Sequence, residues 1–264
     1  MDLQLTGSKA VVTGSTAGIG LAIAKRLHAE GAHVVLVGRS ARKLDQAEAE
    51  IGASGGGDRI KTVAADVTTS EGAAVLLEAA AETDILVNNL GIYESKPFED
   101  ITDQDWRTFF EVNVLSGARL ARAYLPGMLR RNRGRVIFIA SDSALVVPPD
   151  MIHYGMTKTA QLAISRGLAG LTRGTKVTVN AVLPGTTRSE GIEDFLRSVA
   201  ADPDQPMADI EAGFFATERP TSLIQRMIEP EEVAALVAFV ASPLSGATNG
   251  AALRVDGGIT PTIF

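Results

Sequence analysis

The chain is 264 residues long, 45% hydrophobic and 21% charged, with no cysteine. That balance excludes disordered and fibrous classes, and the missing thiols exclude disulfides, iron–sulfur clusters, thiolate zinc and cysteine nucleophiles. With a formal charge of −6 and no run near the roughly 18 apolar residues of a membrane span, neither a nucleic acid nor a membrane is expected as partner.

In chain order, an apolar run at 10–13 predicts the first strand and Ala- and Leu-rich spacing at 18–30 the first helix. Strand-length runs recur at 33–37, 62–65, 84–88, 135–140, 176–180 and 252–255. Helical spacing recurs between them at 42–51, 71–80, 103–131, 151–171 and 231–241. Most of the strands lack polar alternation, as strands do when a parallel sheet is buried between two helix layers. The unbroken alternation predicts one α/β domain over 1–264, an open, doubly wound parallel sheet of about seven strands. The glycine cluster at 52–57 reads as a flexible surface loop. The irregular stretch 186–228, with Phe195, Met207, Phe214, Phe215 and Met227 among Pro203, Pro206 and Pro220, reads as a lid. The amino terminus lacks the charged-then-apolar layout of a signal peptide, so a cytoplasmic location is expected.

Directly after the first strand comes Thr13-Gly-Ser-Thr-Ala-Gly-Ile-Gly20, leading into the first helix. Gly14 permits a sharp turn, Gly18 lets a ligand approach the backbone, and Gly20 permits close helix–strand contact. The helix start then offers free N–H groups and a positive dipole end to a pyrophosphate. The second strand ends Val37-Gly-Arg-Ser40. An acidic residue there would bond the ribose hydroxyls of NAD, whereas Arg39 and Ser40 suit the 2′-phosphate of NADP, so NADP is favoured over NAD. The alternative for Arg39 is a solvated arginine opening the next helix. Asp66, after the third strand, either meets the adenine amino group or caps the following helix.

Tyr154 and Lys158 stand four apart in a helical segment and so share a face. A free phenol ionises near pH about 10 and is a poor base at neutrality, so an adjacent ammonium would be needed to favour phenolate. Alone, the pair has an ordinary amphipathic explanation. Ser141 ends the fifth strand, at the edge where open α/β sheets bind ligands, with Ser143 as its competitor. Asn113 is either a surface residue or one whose amide holds backbone or water. Pro184-Gly-Thr-Thr187 closes the sixth strand with donors for a carboxamide or phosphate.

Taken together, the glycine turn, Asn88-Asn-Leu-Gly91, Asn113, Ser141, Tyr154-Gly-Met-Thr-Lys158, Asn180-Ala-Val-Leu-Pro-Gly185 and Val255-Asp-Gly-Gly258 resemble, in order and spacing, the short-chain dehydrogenase/reductases of about 250 residues. The resemblance implies a Rossmann fold, a nicotinamide cofactor and a tetrad of Asn113, Ser141, Tyr154 and Lys158. It implies that the tyrosine protonates a carbonyl and the serine steadies it. The lysine would hold the nicotinamide ribose and lower the tyrosine pKa, and the asparagine would anchor a relay water. The cofactor contacts so implied are Gly14, Ser15, Thr16, Gly18, Ile19, Gly20, Arg39, Ser40, Asp66, Val67, Asn89, Leu90, Gly91, Tyr154, Lys158, Pro184, Gly185, Thr186 and Thr187. Leu90 departs from the family's usual alanine and adds bulk beside the adenine ribose. Family members commonly form dimers or tetramers through their two long helices, so a homo-oligomer is implied.

His28, His33 and His153 are too scattered for metal-ligand spacing, so no metal is expected. His153 either lines the substrate cleft or touches it incidentally. The basic run 130–135 reads as a solvated helix end, with an acidic partner such as an acyl carrier as the alternative. Trp106, Phe109 and Phe110 read as helix packing or subunit contact. The expected activity is hydride transfer between nicotinamide and a carbonyl or secondary alcohol; a nucleotide sensor without turnover is the alternative. The apolar residues of 186–228 favour a hydrophobic ketone, with a 3-oxoacyl thioester, a steroid-like ketone and a polyol all open.

Overall fold

A computed structural model of the protein describes residues 1–53, 55–189, 192–200 and 202–263. Its sheet has seven parallel strands: β1 (Lys9–Thr13), β2 (His33–Gly38), β3 (Ile60–Ala64), β4 (Ile85–Asn88), β5 (Gly134–Ile139), β6 (Val177–Pro184) and β7 (Ala252–Val255). Their spatial order is β3-β2-β1-β4-β5-β6-β7. The chain reverses its direction of winding between β1 and β4, which opens a crevice at the carboxyl ends of those strands.

Neighbouring strand residues feed opposite layers, which is why the strands read as continuous apolar runs. Val12, Leu36, Ile137 and Val182 pack with Ile23 and Leu27 of α1 (Gly18–Ala29) and Val237 of α9 (Pro230–Ala241). Val11, Leu86, Phe138 and Val179 pack with Leu76 of α3 (Ser70–Ala79) and Leu120 and Met128 of α5 (Ser116–Arg131). Ser40 caps α2 (Ala41–Gly52) by accepting from Lys43 N, and Thr69 caps α3 by accepting from Gly72 N.

The long helix expected at 103–131 is interrupted. α4 (Asp103–Phe110) runs into one π turn, Glu111–Leu115, before α5 begins. Such a turn widens the helix and re-aims one side chain inward, here Asn113. α6 (Ile152–Leu171) then packs along α4 and the π turn. No helix among the described residues is long and apolar enough to cross a membrane.

One expectation is corrected and two are narrowed. The stretch 186–228 is not irregular: it holds α7 (Ile192–Val199) and α8 (Met207–Thr217), and Thr187 pairs with Ile228 at its base. The glycine cluster, whose Ser54 lies outside the described residues, lies at the surface as expected, but it is anchored to α1: His28 Nε2 bonds Gly56 O at 2.8 Å and Arg59 donates to His28 O at 2.8 Å. The basic run is a solvated helix end over Arg130, Arg131 and Arg133, which are exposed at the end of α5, and departs from that only at Arg135. Arg131 donates to Thr83 O, Arg133 to Ser8 Oγ, and buried Arg135 to Gly134 O, Lys176 O and Ser242 O.

Candidate active site

The turn after β1 is shaped by what a Cβ would strike. Gly14 and Gly18 adopt φ of +62° and +53°, in the left-handed region open to glycine. A Cβ on Gly20 would lie 2.2 Å from Gly14 O and 2.5 Å from Asn89 Nδ2, so α1 can approach the strand ends only through glycine. Thr13 and Asn89 brace the turn. Thr13 Oγ1 accepts from Asn89 N (3.0 Å) and Leu90 N (3.1 Å), while Asn89 Nδ2 donates to Thr13 O (3.0 Å) and Gly14 O (3.2 Å). Unlike α2, α3 and α4, the helix α1 has no side-chain cap, and unlike α3 and α4 it has no acid in its first turn. Its first N–H groups therefore stay free beside the glycine cradle, which fits a dinucleotide pyrophosphate.

Other expected nucleotide contacts are mixed. Arg39 is exposed and makes no hydrogen bond or ion pair with the described residues, so its guanidinium is available to a phosphate. Ser40 is occupied as the α2 cap. The Ser15 hydroxyl is fully buried and accepts from Val37 N at 2.9 Å, so it locks the turn to β2 instead of facing a ligand. Thr16 packs its methyl beside Gly38, and Val67 is buried. Asp66 does not cap α3, which Thr69 does; its Oδ1 accepts from Thr68 N (3.1 Å) and Thr68 Oγ1 (2.7 Å). Leu90 packs on the apolar layer beneath the sheet and against Gly14.

At the carboxyl ends of β4, β5 and β6 a cavity of about 920 Å³ opens. Ile19, Asn89, Gly91, Ser141, Tyr154, Lys158, Pro184, Gly185, Thr186 and Thr187 all line it. The π turn buries Asn113, whose amide clamps the backbone of Ile92: its Oδ1 accepts from Ile92 N (2.8 Å) and its Nδ2 donates to Ile92 O (3.0 Å) and Thr157 Oγ1 (3.0 Å). Buried Ser141 donates to Asp142 Oδ1 (2.8 Å) and accepts from Ser143 N (3.1 Å). Its hydroxyl also lies close enough to the Tyr154 phenol to hold the phenol pKa back.

Lys158 is buried, donates to Ile139 O at 3.0 Å, and stands 5.5 Å from the centroid of the Tyr154 ring. Burial pulls its ammonium down to about 8. The Tyr154 phenol is pushed up to about 12, chiefly by burial. The expectation of a lowered tyrosine is therefore not met in the protein alone. The ammonium is committed to a carbonyl, and desolvation opposes phenolate.

Two more expectations change. His153 does not line the cleft: it is fully buried, both ring nitrogens lack partners among the described residues, and Phe109 and Trp106 pack edge-on at 4.1 and 6.2 Å. Of the apolar covering, Phe214 lines the cavity. Phe215 and Met227 pack with Leu196 and Ile210 into a small separate core, with Met207 against it, and the Phe195 side chain lies outside the described residues. The sequence pattern did not single out Asp142, Glu94 or Arg219, which also line the cavity. Only the position of Asp142, directly after the strand-end serine, offered a signal.

A family model described as short chain dehydrogenase matches residues 8–198. The chain is 50% identical over 264 residues to the uncharacterized oxidoreductase YvaG of Bacillus subtilis, covering 100% of both. It is 32% identical over 264 residues to gluconate 5-dehydrogenase of Gluconobacter oxydans, covering 98% of this chain and 97% of that one. Among solved structures it is similar to L-sorbose reductase from Gluconobacter frateurii complexed with NADPH and L-sorbose, with a TM-score of 0.92, 32% identity and 100% of both chains covered.

Proposed function

The chain is an oxidoreductase of the short-chain dehydrogenase/reductase family, and from that premise we propose that it interconverts a ketone and a secondary alcohol with NADP(H). The observation that carries this reading is the gathering of Ser141, Tyr154 and Lys158 on one cavity that adjoins the braced glycine turn. The unpaired Arg39 guanidinium at the end of β2 supports NADP(H) over NAD(H), as does the NADPH in the sorbose reductase neighbour.

When bound, the nicotinamide supplies hydride in reduction and accepts it in oxidation. Tyr154 gives its phenolic proton to the substrate oxygen as the carbon gains hydride, so the ketone takes up one hydride and one proton. A phenol held near 12 keeps that proton at neutral pH, which suits reduction. Ser141 turns its hydroxyl from Asp142 to the same oxygen, exchanging one acceptor for another. Lys158, cationic below about 8, holds positive charge behind the phenol beside Gly91 and offers its remaining N–H groups to a ribose. Asn113 holds the Ile92 backbone and so that part of the cavity wall. The segment 186–228, with α7 and α8 on their own small core, acts as the cover that keeps water from the reacting carbon.

The test is to follow loss of NADPH absorbance with a panel of ketones, beside NADPH and NADH titrations. Turnover of at least one ketone and tighter binding of NADPH are expected. Dinucleotide binding without any oxidation overturns the enzymatic reading in favour of a sensor.

A further inference from the structure

We propose that the carboxylate of Asp142 recognises substrate, and that the substrate is a neutral ketone bearing a hydroxyl on the carbon next to the carbonyl. The matching vicinal diol would be the substrate in the reverse direction. The proposal rests on the carbonyl chemistry proposed above and adds to it a recognition group and a substrate class.

Asp142 lines the same cavity as Tyr154 and immediately follows Ser141. One of its oxygens is committed: Oδ1 accepts from Ser141 Oγ and from Ser143 N, both at 2.8 Å. The other, Oδ2, accepts no hydrogen bond from a described residue and is reached by solvent. A charged acceptor is thus left open to the cavity. Burial raises the carboxyl above its ordinary value, with Arg219 opposing and Asp256 adding to that rise, so the site carries a group that is costly to leave without donors.

The order along this wall is phenol, Ser141 hydroxyl, Asp142 carboxylate. A carbonyl oxygen held by the first two brings its neighbouring carbon against the third. A hydroxyl on that carbon donates to Oδ2, and the charge makes the bond a strong one. An unsubstituted apolar ketone strips water from the carboxylate and returns nothing. An anionic substrate fares worse. Among the described lining residues four are acidic (Glu94, Asp142, Asp150 and Glu218) and two basic (Lys158 and Arg219), and Lys158 is already placed at the phenol. Arg219, stacked over Phe214 and donating to Glu218 O, adds donors for hydroxyl oxygens farther along a polyhydroxylated chain.

Three probes test the assignment in the intact protein: 3-hydroxybutan-2-one, butan-2-one and the anion acetoacetate, each with NADPH. The expected wild-type kcat/KM for the hydroxy ketone exceeds that for butan-2-one by about tenfold or more, and acetoacetate is the poorest of the three. In Asp142→Ala the ratio of the first two falls to within about threefold of unity. Because the two ketones share Tyr154 and Ser141, a mere displacement of Ser141 lowers both and leaves the ratio at its wild-type value, which overturns the proposal. A wild-type preference for butan-2-one or acetoacetate also overturns it, as does silence with all three in an enzyme that reduces another ketone. If Asp142→Ala does not fold, Asp142→Asn serves, with a smaller fall in the ratio expected and an unchanged ratio again overturning it. NADPH oxidation with no ketone at all defeats the oxidoreductase function itself, and this assignment with it.

Discussion

The glycine turn after β1 and the cap formed by α7 and α8 both border the cavity, yet they are held by different forces. The turn is dictated by backbone sterics. A Cβ at position 20 has no room, positions 14 and 18 need left-handed φ, and main-chain carbonyls receive the Asn89 amide. The cap is dictated by side chains. Phe214, Phe215, Ile210 and Leu196 make a core separate from the two layers flanking the sheet, and Arg188 ties it down through Glu211 and Glu229 at 3.1 and 3.0 Å. A wall built from backbone admits little variation and suits a ligand common to many enzymes. A wall built from side chains can be re-lined without disturbing the sheet.

The largest effect sought is at the seam between the two walls. Tyr154→Phe should lower kcat by about 10²- to 10⁴-fold while NADPH titrations match wild type, since only the proton donor is lost. Retained turnover would mean that another group moves the proton. On the backbone wall, Gly20→Ala must push Gly14 O or Asn89 aside. Overpacking of about 1–3 kcal/mol should weaken NADPH by roughly tenfold or more, whereas unchanged affinity would show the turn to be soft. Smaller again, Arg39→Ser should weaken NADPH by about tenfold and leave NADH nearly unmoved. Equal weakening of both would place Arg39 away from the 2′-phosphate.

The smallest effect concerns His153, behind the seam. Burial holds its pKa below the ordinary value of about 6.5, with Glu94 and Asp105 pulling up and Lys96 pushing down. The unfolded chain therefore takes the proton first as pH falls through about 6.5, and stability is lost on the acid side. Thermal midpoints measured from neutral to mildly acidic pH should fall less steeply for His153→Phe than for wild type. Parallel slopes would assign the acid sensitivity to other groups.

Much of this was legible in the chain itself, for physical reasons that differ between residues. Paired residues such as Val11 and Val12 or Ile137 and Phe138 announced a sheet buried on both faces, because strand alternation sends each member to a different layer. Tyr154 and Lys158 were recoverable because a helix brings positions four apart onto one face. By contrast, α7 and α8 went unseen because their proline-punctuated sequence resembles a loop, and their helicity is supported by packing onto Met227 and one another. His153 was misplaced because helical spacing does not tell which neighbour a face meets; here Trp106 and Phe109 claim it.

The sequence by itself determined the strand and helix order and the glycine turn, which follow from local sterics and short repeats, and its resemblance to a family singled out the candidates Ser141, Tyr154 and Lys158. Tertiary structure alone decided that the phenol is held protonated, that the Asn113 amide clamps Ile92, and that Asp142 lines the same cavity as Tyr154 and Arg219. Those properties depend on burial and on partners distant in the chain, and neither desolvation nor a shared cavity wall leaves a periodic trace in the order of residues.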